Sequence, residues 1–162
     1  LSGEKKIILF VGRVSKEKNI EIFCELSNKI SHYRFVIVGD GPLRKKLEKK
    51  FENILFTGYK FGIELAEFYS VADCTVFPSL QDTFGITIIE SMACGTPVAA
   101  FPVNGPVDII KPKISGFFDQ DFENAIENAF QCKEESIIES SQRFSWELCA
   151  DIFINSVEGV HK

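Results

Sequence analysis

The chain has 162 residues, 45% of them hydrophobic and 25% charged, with a formal net charge of −5. That length and balance suit one folded domain with a substantial core, and they exclude a disordered chain. The acidic balance argues against general nucleic-acid binding, which needs a basic face, but leaves room for a local basic pocket holding a phosphorylated small molecule.

The elements alternate along the chain. "KKIILFVG" (5–12) is a continuous apolar run ending in glycine, the pattern of a strand buried on both faces. "KNIEIFCELSNKIS" (18–31) places Ile20, Phe23, Cys24 and Ile30 at helical spacing. "YRFVIVGDGP" (33–42) is a second buried strand stopped by Gly and Pro, and "LRKKLEKKF" (43–51) a charged surface helix. "NILFTG" (53–58), "IELAEFYSVA" (63–72) and "CTVFPS" (74–79) predict strand, helix and strand. "DTFGITIIE" (82–90) leads into a helix running to about Ala93, and "TPVAAF" (96–101) predicts a fifth strand. "SGFFD" (115–119) is a candidate sixth strand, and "DFENAIENAFQC" (121–132) a helix with Asp121 as its N-cap. A last helix, about 144–160, starts near Ser145 with an apolar stripe of Trp146, Cys149, Ala150, Phe153, Ile154 and Val157.

Uninterrupted apolar strands alternating with helices mean a parallel sheet covered on both faces: a doubly wound, Rossmann-like α/β domain. There is no internal repeat and no low-complexity segment, so 1–162 reads as a single domain. It starts at Leu1 with a strand close behind, as expected of a piece of a longer chain. No apolar run reaches the roughly 18 residues of a membrane span, and no signal peptide is visible. Five cysteines without a C-x-x-C pair, four of them in apolar surroundings, read as reduced thiols in a cytoplasmic protein. With two histidines, His32 and His161, a His-rich metal site is not expected.

Ligands of such folds bind beyond the carboxyl ends of the strands, so the loops 12–18, 39–42, 58–62, 79–85 and 102–106 are the ones of interest. In "GRVSKEKN" (12–19), Gly12 permits close approach of backbone, while Arg13 and Lys18 set two cations beside a helix start. They are either a diphosphate site or two solvated surface charges. "GDGP" (39–42) is a tight turn, not G-x-G-x-x-G, and no P-loop motif exists. "DQD" (119–121) precedes a helix and reads as its cap rather than as a metal motif. Ser79 and Ser91 have no G-x-S-x-G context, which disfavours a Ser-His-Asp hydrolase.

The segment 82–90 carries acids at both ends of an apolar stretch. It is either a plain helix start, with Asp82 as cap, Ile86 and Ile89 inward and Glu90 in water, or part of a site. In the second case a phosphate sits at the helix start near Phe84 and Gly85, and the carboxylates take up vicinal diols on either side.

Together "FVGRVSKEKN", "VIVGDGPLRKKLE", "ILFTGY", "ADCTVFPSLQDTFGITIIESMACGTPVAA" and "NGPVDII" resemble the donor-binding C-terminal domain of family 4 retaining glycosyltransferases of GT-B architecture. The resemblance covers about residues 6–118 strongly and the helical tail loosely. It implies that this is the donor half of a two-domain enzyme whose N-terminal acceptor domain lies outside the chain. The implied reaction is retaining transfer of a hexose from a UDP-sugar or GDP-sugar to a glycan or lipid acceptor, without a metal or other cofactor. In that reading Arg13 and Lys18 contact the donor diphosphate and Gly12 lies beneath it. Phe84, Gly85 and Ile86 present backbone to the sugar and phosphates, Glu90 binds the ribose, and the base lies near Tyr59. Asp82, near the sugar, stands where the family's E-x7-E motif has Glu, an arm shorter by about 1.5 Å. Asp108, in "GPVD", takes the place of a later family Glu.

The resemblance leaves open peripheral association of the full-length enzyme with the inner face of the membrane. Other readings are a non-catalytic nucleotide-sugar-binding module, or a sugar-phosphate epimerase or phosphorylase of the same architecture. A dinucleotide oxidoreductase is disfavoured, because the first strand has no G-x-G-x-x-G continuation.

Overall fold

The computed structural model describes residues 5–81, 84–145, 147–148, 150–151 and 154–155. Six strands form one sheet in the order β3-β2-β1-β4-β5-β6. They are β1 Ile7–Val11, β2 Arg34–Val38, β3 Ile54–Gly58, β4 Cys74–Phe77, β5 Val98–Ala100 and β6 Gly116–Phe118. Every pairing is parallel. The doubly wound, Rossmann-like expectation is therefore correct.

Burial explains the continuous apolar runs. Successive strand residues point to opposite faces of a sheet, and both faces of the central strands β1 and β4 are covered. Ile8, Phe10, Phe35 and Ile37 pack with α1 (Ile20–Lys29), α2 (Arg44–Lys50) and α6 (Phe122–Ala129). Leu9, Val36 and Val38 face the other way, against Tyr69 and Ala72 at the end of α3 (Gly62–Ser70). Phe77, Val98 and Ala100 continue that second face beneath Ile88 and Met92 of α4 (Ile86–Ala93). Each such side chain contributes about 1.5–3 kcal/mol by leaving water, and only the outer part of the sheet relaxes the pattern, with Arg34 of β2 and Leu55 of β3 exposed.

The structure adds two helices that the sequence pattern does not announce. The short α5 (Pro106–Ile109) buries Pro106 and Ile109. The helix α7 (Glu134–Ser141) buries Ile137, Ser140 and Ser141, with Ile137 in the cluster around Ile88 and Met92. Asp121 caps α6 as expected, its side chain accepting from the Glu123 N–H. At the tail, Ser145 Oγ accepts from the Leu148 N–H at 3.1 Å, a cap at the expected start of the last helix. Of the expected stripe, Trp146, Cys149, Phe153 and Val157 lie outside the described residues, while Ala150 and Ile154 are exposed.

No described helix is long and apolar enough to cross a membrane. Among the described cysteines, Cys24 and Cys74 are buried, Cys94 and Cys132 half-buried, and all four are free thiols. Burial pushes the Cys24 thiol up to about 12.

Candidate donor-binding site

The sheet order reverses between β1 and β4: β1 is followed outward by β2 and β3 on one side, and β4 by β5 and β6 on the other. At such a switch point the connections leave in opposite directions and open a crevice at the strands' carboxyl ends. A cleft of about 290 Å³ lies there. The end of β1 supplies Phe10, Val11 and Gly12, and the end of β4 supplies Phe77 and Ser79. Lys18 and the segment Phe84–Thr87 complete the lining.

The two loops are tied together across the crevice. After β1 a 3-10 turn at Lys16–Lys18 ends at Asn19, which has a left-handed backbone (φ 56°). The Asn19 side-chain amide donates to the Pro78 carbonyl at 3.2 Å, linking the β1 loop to the β4 loop. The turn 39–42 braces the same loop from the other side. Val14 N–H donates to Asp40 O at 2.9 Å, and Leu43 N–H to Val14 O at 3.1 Å. This closeness requires glycine: a Cβ on Gly39 would lie 1.9 Å from the Gly12 carbonyl oxygen. The G-D-G turn thus supports the β1 loop.

Gly85 starts α4 with a left-handed backbone (φ 67°). Ile88 and Met92 are buried beneath the helix, whereas Ile86 is 62% exposed. Ile86 therefore does not face the core, as a plain helix start would have it. The first-turn N–H groups of a helix have no intrahelical acceptor, and with Lys18 in the lining they favour an anion here.

Of the other expected site residues, Arg13, Tyr59 and Glu90 lie outside the lining of this cleft. Arg13 is largely exposed, with Nη1 3.7 Å from Glu17 Oε1. The Ser15 hydroxyl, the backbone and then Arg13 and Lys18 hold the Glu17 carboxyl below its usual range. Such exposed ion pairs contribute little, so an anionic ligand can displace Glu17 from Arg13 at small cost.

Glu90 lies apart from the cleft lining, in a hollow between α3 and α4 bounded by Gly62, Leu65, Ala66, Tyr69, Ala93 and Cys94. Its Oε2 accepts from the Tyr69 hydroxyl at 2.9 Å. Tyr59 is also outside the cleft lining. It sits past the end of β3 with its ring stacked on Phe61, centroids 6.0 Å apart, and its hydroxyl donates to Asp40 O at 3.4 Å. Asp82 lies outside the described residues.

Asp108 Oδ2 accepts from the Gly105 N–H at 3.4 Å and so caps its own short helix. In "DQD", Asp119 Oδ1 accepts from Asp121 N–H at 2.9 Å, and Asp119 Oδ2 from the Asn124 amide. Both carboxylates are engaged in starting α6. No group of three or more metal-ligating side chains occurs among the described residues.

Residues 5–132 match the family of glycosyl transferases group 1. The chain belongs to this family. The GDP-mannose-dependent alpha-mannosyltransferase of Corynebacterium glutamicum is 41% identical over 115 residues, which cover 71% of this chain and 28% of that protein. The sulfoquinovosyl transferase SQD2 of Arabidopsis thaliana is 38% identical over 109 residues, 66% of this chain and 21% of the relative. Among solved structures, sucrose-phosphate synthase from Thermosynechococcus elongatus superposes with a TM-score of 0.82 at 28% identity, over 99% of this chain and 47% of that one. This group 1 glycosyltransferase domain thus has the fold expected of the GT-B class, and it spans between a fifth and a third of the length of these two curated relatives.

Ser79 and Tyr69 are polar side chains lining the cleft and the α3–α4 hollow that no sequence motif singles out as ligand contacts. Tyr69 falls within the helix predicted over 63–72 and carries no motif of its own. Ser79 stands in a loop of interest but was weighed only as a nucleophile.

Proposed function

We propose that this domain binds a nucleoside-diphosphate sugar and presents it for retaining transfer of a hexose to a glycan or lipid acceptor. The observation that carries the reading is the meeting of Gly12, Lys18 and the start of α4 on one cleft at the switch point, in a chain of the glycosyl transferases group 1 family. The diphosphate lies along Gly12, with Lys18 and Arg13 as its cations and Phe84, Gly85 and Ile86 lending backbone. Glu90 takes the ribose diol, and Asp82 is assigned to the sugar. The base lies toward Tyr59, whose ring and that of Phe61 are exposed at the same end of the sheet.

The chemical difficulty of the transfer is the negative charge that builds on the departing diphosphate. Fixed cations and helix-start N–H groups stabilise such charge without reorganising as it develops. The reading therefore needs no metal. Acceptor binding is assigned to sequence outside this chain, so the chain alone binds donor nucleotide weakly and transfers no sugar.

Calorimetric titration with UDP and GDP, each with and without EDTA, tests the reading. The expected result is binding of one of them, unchanged by the chelator. Absence of binding by both at millimolar concentration overturns the reading, and a tenfold loss with EDTA overturns its metal-free part.

A further inference from the structure

Ser79 is 1% exposed, lines the cleft, and its Oγ has no hydrogen-bond partner. Other buried hydroxyls of this chain are satisfied locally or across elements. Ser27 Oγ donates to Cys24 O at 2.7 Å, and Thr96 Oγ1 donates to Tyr69 O. Ser91 Oγ is bonded both to Thr75 Oγ1 at 2.8 Å and to Thr96 O at 2.9 Å. The other unpartnered serine hydroxyl among the described residues, on Ser140, lies on α7, away from the cleft lining. A buried hydroxyl without a partner costs stability that an apolar side chain would not. Its position at the carboxyl end of β4, in a cleft whose lining also includes Phe10, Lys18, Phe77 and Phe84, directs attention to what enters the cleft.

We propose that the Ser79 hydroxyl donates a hydrogen bond to a phosphate oxygen of the bound nucleoside diphosphate. The electrostatics choose phosphate over a neutral group. The described lining holds the cation Lys18 and no carboxylate, and the start of α4 adds partial positive charge. An ionised phosphate accepts without donating, which matches a hydroxyl whose proton is unused. Nothing about a serine two residues past the strand announces this role in the sequence, because the orphan state of Oγ depends on the packing of β1 and α4 around it. This inference rests on the donor-binding reading above and assigns that site a further ligand-contacting residue.

The test titrates Ser79→Ala and the unsubstituted chain with inorganic pyrophosphate, UDP and GDP, and compares their unliganded melting temperatures. Affinity for pyrophosphate, and for whichever nucleoside diphosphate binds, is expected to fall about tenfold, the effect of a hydrogen bond to a charged group. The unliganded variant is expected to melt at the same temperature or higher, because an unpartnered buried hydroxyl has been removed. Equal affinities overturn the inference while leaving nucleotide binding intact. A loss confined to UDP or GDP overturns the phosphate assignment. A lower melting temperature shows that Oγ has a structural partner and overturns the inference as well. If the unsubstituted chain binds none of the three ligands, the donor-binding reading falls and the inference falls with it.

Discussion

Tyr69, at the buried end of α3, donates its hydroxyl to Glu90 Oε2 on α4 at 2.9 Å. Burial first, and then the Glu90 charge, push the Tyr69 pKa far up. The phenol therefore keeps its proton across the physiological range and can hold the carboxylate in one orientation. Tyr69→Phe preserves the packing and removes only this donor. It is expected to destabilise the chain by about 1–2 kcal/mol, read from urea unfolding, with pyrophosphate affinity unchanged.

Glu90→Gln keeps an acceptor oxygen for Tyr69 and removes the charge. If Glu90 holds the ribose diol, nucleoside diphosphate affinity falls by roughly 1.5–3 kcal/mol, while pyrophosphate, which has no ribose, binds as before. An equal loss for both ligands in calorimetry would show that the ribose assignment is wrong.

Arg13→Ala and Lys18→Ala should behave the opposite way, weakening pyrophosphate and nucleotide alike. Added salt should shrink the difference from the unsubstituted chain, since exposed charges are screened over about 8–10 Å. For Arg13 the pairing with Glu17 is solvent-exposed, so its removal should change stability by only a few tenths of a kcal/mol. Normal binding by both variants would place the diphosphate elsewhere.

Gly39→Ala tests the brace under the β1 loop. The added Cβ would meet backbone, the Gly12 carbonyl oxygen at 1.9 Å, at a φ of +140°. Backbone has no side-chain freedom with which to yield. A loss of at least about 3 kcal/mol is expected, seen as a lowered melting temperature or as failure to accumulate folded protein.

Asp40, in the same turn, supplies a pH dependence. The Gly41 N–H, followed by the Arg44 guanidinium, holds its carboxyl below the usual range, with Arg44 Nη1 2.8 Å from Oδ2. A carboxyl whose pKa is depressed by folding stabilises the fold above its unfolded pKa, and that contribution fades as pH falls through the folded value. Asp40→Asn should therefore lower the melting temperature at pH 7, and the gap should close as pH drops below about 4. A gap that does not narrow as the pH falls below about 4 would mean that packing, not charge, is the cause.

The strands and most helices were legible because burial on both faces leaves little freedom in the composition of the central strands: Ile7–Val11 is apolar at every position, with α1 over one face and α3 over the other. Asp121 was legible as a cap because capping is decided within three residues. The helices α5 and α7 were not. "EESIIESS" carries too little apolar periodicity, and what anchors it is Ile137 in the buried cluster that holds Ile88 and Met92. For Ile86 the sequence pattern leaves two readings open, inward in a plain helix start or part of a site, for a related reason. The spacing places it on a helix face, but only the position of Gly85 decides that this face opens to the cleft.

By itself the sequence determined the parallel α/β class, the family, and the loops in which a ligand site must lie, because these follow from local patterns and from motifs in a fixed order. Only the tertiary structure decided that β1 and β4 are neighbours at the switch point, and hence that Gly12, Lys18, Ser79 and Gly85 share one cleft. It also set Glu90 against Tyr69 and left Ser79 Oγ without a partner. Strand order and hydrogen-bond satisfaction are long-range properties. They depend on which groups meet across tens of residues of intervening chain, and no local pattern of side chains encodes that.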